Sequence, residues 1–293
     1  MFTLQPLIRN MQEVKNQEII HYYETCDEHY SLLWHLNTHM AMHYGYWDKN
    51  TRNLKDALFN LNELLANEAG IDASTKVLDA GCGVGGSSLY LARTRKCQVE
   101  GITLSSKHVA LANTQSQKEG LAELAHFSVN DFTSTNFEPE TFDVVWAIES
   151  VCHANEKKEF LAEAFRVLKK GGKLIMVDFY RTMPEPNEKE FYWLNSWAKT
   201  WAVPHFEYKD HFLQKAKEVG FSSVQAKDIT PNIKPSARLL YFYFFPGMAW
   251  NYLLKLVGKH NNSHIENIWS AYYQYHALQK GFWSYELISA AKA

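Results

Sequence analysis

The spacing of apolar positions changes several times along the chain. Between Leu54 and Ala66 they fall at Leu54, Ala57, Leu58, Leu61, Leu64 and Leu65, which predicts a helix with one buried stripe. Upstream, Val14 to Trp34 carries aromatics at mixed spacing and also reads as helical. Short apolar runs then alternate with longer amphipathic stretches. The runs Lys76–Ala80, Gln98–Leu104, Ala125–Val129, Phe142–Ile148 and Lys173–Phe179 predict strands. Helices are predicted from the glycines after Ala80 to Arg93, over Lys107–Glu119 and over Lys157–Leu168. Such alternation implies parallel strands joined by helical crossovers. Further on, His211–Val219 reads as a helix stopped by Gly220, Ser223–Asp228 as a strand, and Gly281–Ala290 as a last strand. The expected fold is α/β, a mostly parallel sheet whose last strand runs antiparallel, with helical inserts. Three parts are expected: a helical N-terminal cap over residues 1–66, the core over 67–182, and helical inserts with the last core strands over 183–293.

Composition narrows the function. A chain of 293 residues with 46% hydrophobic content is ample for one α/β domain with additions. The formal net charge of -2 offers no polyanion-binding surface, so nucleic acid is not an expected partner. Cys26, Cys82, Cys97 and Cys152 show neither CxxC pairing nor the spacing of a disulfide framework, which fits a reducing, cytoplasmic setting. The N-terminus lacks a signal-peptide pattern, and no apolar run reaches transmembrane length. The 9 Trp, 16 Tyr and 17 Phe, weighted to the two ends of the chain, exceed what an average core needs.

Candidate chemistry begins at Val77-Leu78-Asp79-Ala80-Gly81-Cys82-Gly83-Val84-Gly85-Gly86. A buried strand runs into a glycine-rich turn and then a helix, so the backbone can turn sharply and approach a ligand closely. The Asp-x-Gly-x-Gly-x-Gly spacing resembles the S-adenosylmethionine loop of class I methyltransferases. That resemblance implies a Rossmann-like methyltransferase sheet, S-adenosyl-L-methionine as cofactor, and cofactor contacts from Asp79, Gly81 and Gly83. A dinucleotide-binding domain would usually carry an acid at the end of the second strand, roughly 20 residues past the glycines. This chain has Thr103 there, which argues against a nicotinamide oxidoreductase.

Further segments follow in the order of such a methyltransferase. Gly101-Ile102-Thr103-Leu104-Ser105 is similar to the second-strand end of the tocopherol and cyclopropane-fatty-acid groups, which implies nucleoside contacts from Thr103 and Leu104. His108 stands where those groups have a Gln. After the third strand, Asp131 is placed to accept from the adenine amino group and Phe132 to lie on its face. In the fourth strand Ala147 is expected to adjoin the cofactor, and Glu149 and His153 follow it. Their Glu-x-x-x-His spacing resembles tocopherol-like, sterol and benzylisoquinoline N-methyltransferases, and each is a candidate general base. Gly171 and Gly172 are expected to permit a tight helix stop before the fifth strand. The N-terminal motifs His21-Tyr22-Tyr23-Glu24 and His43-Tyr44-Gly45-Tyr46-Trp47 resemble the lid of the cyclopropane-synthase and tocopherol-methyltransferase group. By position, Tyr23 and Tyr44 would approach the methionine end of the cofactor. His35, His39 and His43 recur every four residues, but no carboxylate completes a ligand set, and no metal is expected.

The apolar run Leu239–Trp250 reads as a wall: core, a contact between copies, a membrane-touching face, or a pocket. Inserts between the last strands cap the substrate site in the resembling superfamily, which favours a pocket for a small lipophilic substrate. The reaction expected is methyl transfer to such a molecule. C-methylation of a prenyl, sterol or prenylquinol-like skeleton comes first, and N- or O-methylation of an alkaloid-like or other small natural product second. A SAM-binding protein without catalysis stays open, as do peripheral membrane contact and a homo-oligomer.

Overall fold

The computed structural model describes residues 13–33, 40–256 and 262–293, and side chains for all of these except 26–33 and 262–264. Trp34, His35, Leu36 and His39, and the side chain of Cys26, lie outside the described residues. The strands are β1 (Lys76–Ala80), β2 (Gln98–Thr103), β3 (Ala125–Val129), β4 (Phe142–Ile148), β5 (Leu168–Arg181), β6 (Ser222–Asp228) and β7 (Trp283–Ala291). They form one sheet in the order β3-β2-β1-β4-β5-β7-β6. The pairs from β3 to β5 are parallel, and β7 runs antiparallel to both β5 and β6. The chain winds outward from β1 through β2 to β3, then returns to the other side of β1 as β4. A crevice therefore opens beyond the carboxyl ends of β1 and β4, where open α/β sheets hold ligands.

The helices are α1 (Asn16–Leu33), α2 (Leu54–Ala69), α3 (Gly86–Arg95), α4 (Ser106–Lys118), α5 (Lys157–Val167), α6 (Glu188–Thr200), α7 (Lys209–Val219), α8 (Thr230–Leu256) and α9 (Asn262–Gln279). The Asn53 side chain caps α2 by accepting the Asp56 N–H, and Gly70 ends it at φ 73°. The buried stripe of α2, with Leu61 and Leu65, packs in the same cluster as Val77, Val144 and Trp146 of the sheet. The helix thus crosses the expected boundary at residue 66 and covers one face of the core.

The surplus of aromatics has a location. Phe179 of β5 sits among the rings of Trp197 and Trp201 (both 5.2 Å), Trp283 (5.4 Å), Tyr285 (5.2 Å) and Tyr44 (5.7 Å). These rings join the sheet to α6 and to the N-terminal segment. A second group ties α8 to α9, with Tyr241 stacked on Tyr275 at 4.4 Å. The inserts are held on by ring packing, so a small sheet carries an additional apolar layer.

One boundary differs from expectation. Helix α5 ends at Val167, with Leu168 already extended, so Gly171 and Gly172 are not its stop. They lie inside β5, where the register to β4 jumps from Phe142↔Leu168 to Val144↔Lys173 and Gly171 takes φ 77°. Leu168 is fully buried opposite Phe142, and this pairing starts the strand early. The glycines absorb the resulting bulge.

Candidate active site

The glycine turn, the ends of β2 and β3, and the loop after β4 converge on one cleft of about 290 Å³. Gly81 has φ 93°, and a Cβ there would come within 2.4 Å of Ser150 Cβ. Ser150 Oγ donates to the Ala80 carbonyl at 2.6 Å, which binds the loop after β4 to the loop after β1. Asp79 is buried, accepts from Ser88 Oγ at 2.6 Å, and is pushed up to about 7 by burial. Ser105 caps α4 by accepting the His108 N–H, which fixes the β2 turn.

Most of the residues singled out in the sequence meet here. Tyr23, Asp79, Gly81, Gly83, Thr103, Leu104, His108, Asp131, Phe132, Glu149 and His153 all line the cleft. Helix α1 reaches its mouth: Asn16 Nδ2 donates to Asp131 Oδ2 at 2.7 Å. The other carboxylate oxygen of Asp131 accepts from the Thr133 N–H and hydroxyl. Phe132 is packed edge-on against Phe160.

Two residues sit elsewhere. Ala147 is buried within β4, and along a strand successive side chains face opposite sides, so its neighbour Ile148 reaches the cleft instead. The Tyr44 phenol hydrogen-bonds Gln274 of α9, and its ring packs against Phe179 and Tyr285. What Tyr44 gives the centre is its backbone N–H, which donates to Glu149 Oε1 at 2.7 Å.

Glu149 stands at the carboxyl end of β4 with φ 51°, a left-handed conformation that side chains other than glycine seldom take and that occurs preferentially at functional positions. It is buried, and Tyr285 OH donates to the same Oε1 at 2.7 Å. Burial raises its pKa to about 8, with the two donors opposing the rise. His153 is buried as well, with Nδ1 3.0 Å from the Ala202 carbonyl. A carbonyl only accepts, so Nδ1 carries the hydrogen and Nε2 accepts from Tyr23 OH at 2.7 Å. Burial lowers His153 to about 4, so the ring is neutral near neutrality. Below it, Lys157 Nζ donates to the carbonyls of Cys152 and Ala154 at 2.9 and 2.5 Å and fastens the loop that carries His153.

A second cavity of about 50 Å³ lies between the N-terminal segment, α8 and α9. Leu240, Tyr243 and Phe244 line it, whereas Phe242, Phe245 and Trp250 on the same helix face outward, 58%, 53% and 62% exposed. The apolar wall is therefore divided between a pocket and an open face. Met42, His43 and Glu149 line both cavities, so the two share a wall at the carboxyl group. Sequence reasoning missed Asn16, Met42, Tyr285 and Gln274, and it gave His43 no role of its own beyond the second N-terminal motif and a histidine stripe. Tyr285 was legible only as part of a strand, because its partner lies 136 residues away.

No Lys or Arg occurs among the described residues lining the large cleft, while Asp79, Asp131, Glu149 and Glu159 do. An acid-lined cleft with a glycine turn that admits no Cβ suits a ligand bearing a sulfonium and an ammonium group. The sheet order, the turn after β1 and this lining define a class I S-adenosylmethionine-dependent methyltransferase. A family model described as a methyltransferase domain matches residues 78–176. The chain is 31% identical over 199 residues to 27-O-demethylrifamycin SV methyltransferase of Amycolatopsis mediterranei (strain S699), which covers 67% of this chain and 71% of that protein. It is 28% identical over 246 residues to sterol 24-C-methyltransferase of Saccharomyces cerevisiae, covering 82% of this chain and 61% of that protein. The fold is similar to that of a geranyl diphosphate methyltransferase in complex with GPP and sinefungin, with a TM-score of 0.76 and 20% identity over 95% of this chain and 99% of that one. The chain belongs to the methyltransferase family, and S-adenosylmethionine is its methyl donor. Among the described residues no group of three His, Cys, Asp or Glu is arranged to hold a metal ion, and no helix is long and apolar enough to cross a membrane.

Proposed function

We propose that this methyltransferase transfers a methyl group to a small, lipophilic, uncharged acceptor whose reacting end approaches the wall shared by the two cavities. The observation that carries this reading is the shared wall: Met42, His43 and Glu149 border both the cofactor cleft and the apolar cavity. Bound S-adenosylmethionine supplies an electrophilic methyl group on a positively charged sulfur. Asp79, Gly81, Gly83, Thr103, Leu104, His108, Asp131 and Phe132 hold it, and Tyr23 closes over it from α1. The protein's main contribution is alignment, with reacting atoms roughly 3–3.5 Å apart, and exclusion of water. Glu149 takes the proton released by the acceptor, or stabilises its developing cation, and His153 assists by fixing Tyr23 and the loop.

C-methylation of a prenyl, sterol or prenylquinol-like skeleton is the favoured reaction. Trp201, Tyr243 and Phe244 line the cavity, and aromatic rings stabilise a cation formed on an alkene or ring. No Lys or Arg is among the described residues lining it, which favours an uncharged acceptor over a diphosphate. The test is incubation with methyl-labelled S-adenosylmethionine and a panel of prenylated hydroquinones, sterols and lipophilic amines. Label should enter a lipophilic product at carbon. Label only on a polar or diphosphate-bearing acceptor overturns the reading.

A further inference from the structure

Of the nine large hydrophobic side chains that stand exposed among the described residues, six belong to α8: Phe242, Phe245, Trp250, Tyr252, Leu253 and Leu256. Each is more than half exposed. Phe242, Phe245, Leu253 and Leu256, with exposed Ala249 between them, recur at helical spacing and form one stripe along about 21 Å of the helix. The opposite side of α8 is committed to the protein. Tyr241 stacks on Tyr275, Phe244 packs edge-on against Trp269 at 5.2 Å, and Asn251 is buried. The helix cannot turn its outer stripe inward without giving up these contacts.

Charge decides what fits this face. Lys234, Arg238 and Lys255 are exposed on α8, and the helix carries no Asp or Glu. Lys234 and Arg238 precede Phe242 by eight and four residues, which puts them on the same side, and Lys255 adjoins Leu256 at the far end. Cations therefore stand at both ends of the apolar stripe, on a chain whose formal net charge is -2. A second copy meeting this face about a two-fold axis would set these cations against their own kind. An anionic bilayer suits both parts, with phosphates for the cations and an acyl boundary for the rings.

We propose that the outer face of α8 docks on the surface of an anionic lipid bilayer, with the stripe from Phe242 to Leu256 at the boundary of headgroups and acyl chains and with Lys234, Arg238 and Lys255 among the phosphates. The helix lies in the plane of the surface, because its inner side stays packed on α9. Leu240, Tyr243 and Phe244 of the same helix line the second cavity. An acceptor dissolved in the bilayer thus leaves it beside the wall where it reacts. That last step rests on the lipophilic-acceptor reading, whereas the docking itself does not.

The test is co-sedimentation of the full chain with vesicles in the absence of any acceptor, so the result does not depend on what is methylated. One vesicle is phosphatidylcholine alone, and the other is equal parts of phosphatidylcholine and phosphatidylglycerol. The wild type should partition onto the anionic vesicles at least about tenfold more strongly than onto the neutral ones, and less strongly as salt rises. The double variant Phe242→Ser with Leu253→Ser should lose at least about tenfold of that partitioning. Both side chains are exposed, so its S-adenosylhomocysteine affinity and melting temperature should match the wild type. Lys234→Glu with Arg238→Glu should abolish the preference for anionic vesicles. Failure of the wild type to sediment with either vesicle overturns the inference, and so does undiminished partitioning in the folded double variant. A dimer in analytical ultracentrifugation that the double variant dissolves, without vesicle binding, overturns it in favour of a second copy. Vesicle binding by an enzyme that methylates no lipophilic acceptor supports the docking and overturns the acceptor reading instead.

Discussion

Tyr285 donates its phenolic hydrogen to Glu149 Oε1 at 2.7 Å, tying the last strand of the sheet to the loop after the fourth. The same oxygen accepts the Tyr44 N–H at 2.7 Å, so one carboxyl group is gripped from both ends of the chain. These donors favour the ionised form, yet burial outweighs them and raises the pKa to about 8. At neutral pH Glu149 therefore keeps a proton, and a cation placed beside it draws the carboxylate out.

Glu149→Gln keeps the shape and a carbonyl oxygen for both donors. Affinity for S-adenosylhomocysteine should stay nearly unchanged, and turnover should fall at least about tenfold, within the range usual for general-base catalysis. Stability should move the other way. The folded chain keeps this proton up to about pH 8, while an unfolded chain releases it near 4.5. Wild-type stability thus falls across that window relative to Glu149→Gln, and the melting-temperature difference in favour of the variant should widen from pH 5 to pH 8. Wild-type turnover in the variant would show that catalysis is alignment alone.

A pH dependence of cofactor discrimination follows from the same carboxyl group. S-adenosylmethionine carries the sulfonium charge and S-adenosylhomocysteine does not. Binding of the cation should expel the Glu149 proton, so the preference for S-adenosylmethionine should grow as pH rises towards about 8 and level off above it. Calorimetry of both ligands across this range is the measurement. A ratio that does not change with pH, or that changes equally in Glu149→Gln, would place the sulfonium away from this residue.

The glycine turn admits a sharper test. Gly81→Val puts a branched side chain where Ser150 Cβ is 2.4 Å from an added Cβ and the backbone stands at φ 93°. Stability should drop by more than about 1 kcal/mol, and S-adenosylhomocysteine binding should be lost. Asp131→Ala should remain folded and bind at least about tenfold more weakly. Undiminished affinity in folded forms of both variants would remove these residues from the cofactor site.

Lys157 has a structural task below the site. Its ammonium donates to the carbonyls of Cys152 and Ala154, and burial lowers its pKa to about 8. Lys157→Met leaves those buried carbonyls without their donor and should cost about 1–3 kcal/mol in chemical denaturation. Stability equal to wild type would mean that other groups hold the loop carrying His153.

The N-terminal segment is proposed to act as a lid, not as a separate domain. Asn16 and Tyr23 of α1 reach Asp131 and His153, which both line the cofactor cleft. Limited proteolysis within residues 1–50 should slow when S-adenosylhomocysteine is added. Equal cleavage rates with and without it would count against closure.

Much of this protein was legible in the chain itself, for a physical reason. The alternation of strand and helix, the turn at Gly81 and Gly83, and the succession Thr103, Asp131, Glu149 at strand ends are local signals. They are written in backbone preference and side-chain period, and a parallel sheet automatically brings its strand ends together. The aromatics, weighted to the two ends of the chain, exceeded what an average core needs, but nothing local said what they would pack against. Only the tertiary structure decided the rest. Tyr285 reaches Glu149 across 136 residues, and the Tyr44 ring packs in the aromatic core against Phe179 with its hydroxyl on Gln274. The bulge at Gly171 follows from Leu168 pairing with Phe142 before the glycines are reached. The second cavity exists because α8 and α9 fold back over the N-terminal segment. Contacts between distant segments are set by packing, which no local pattern encodes.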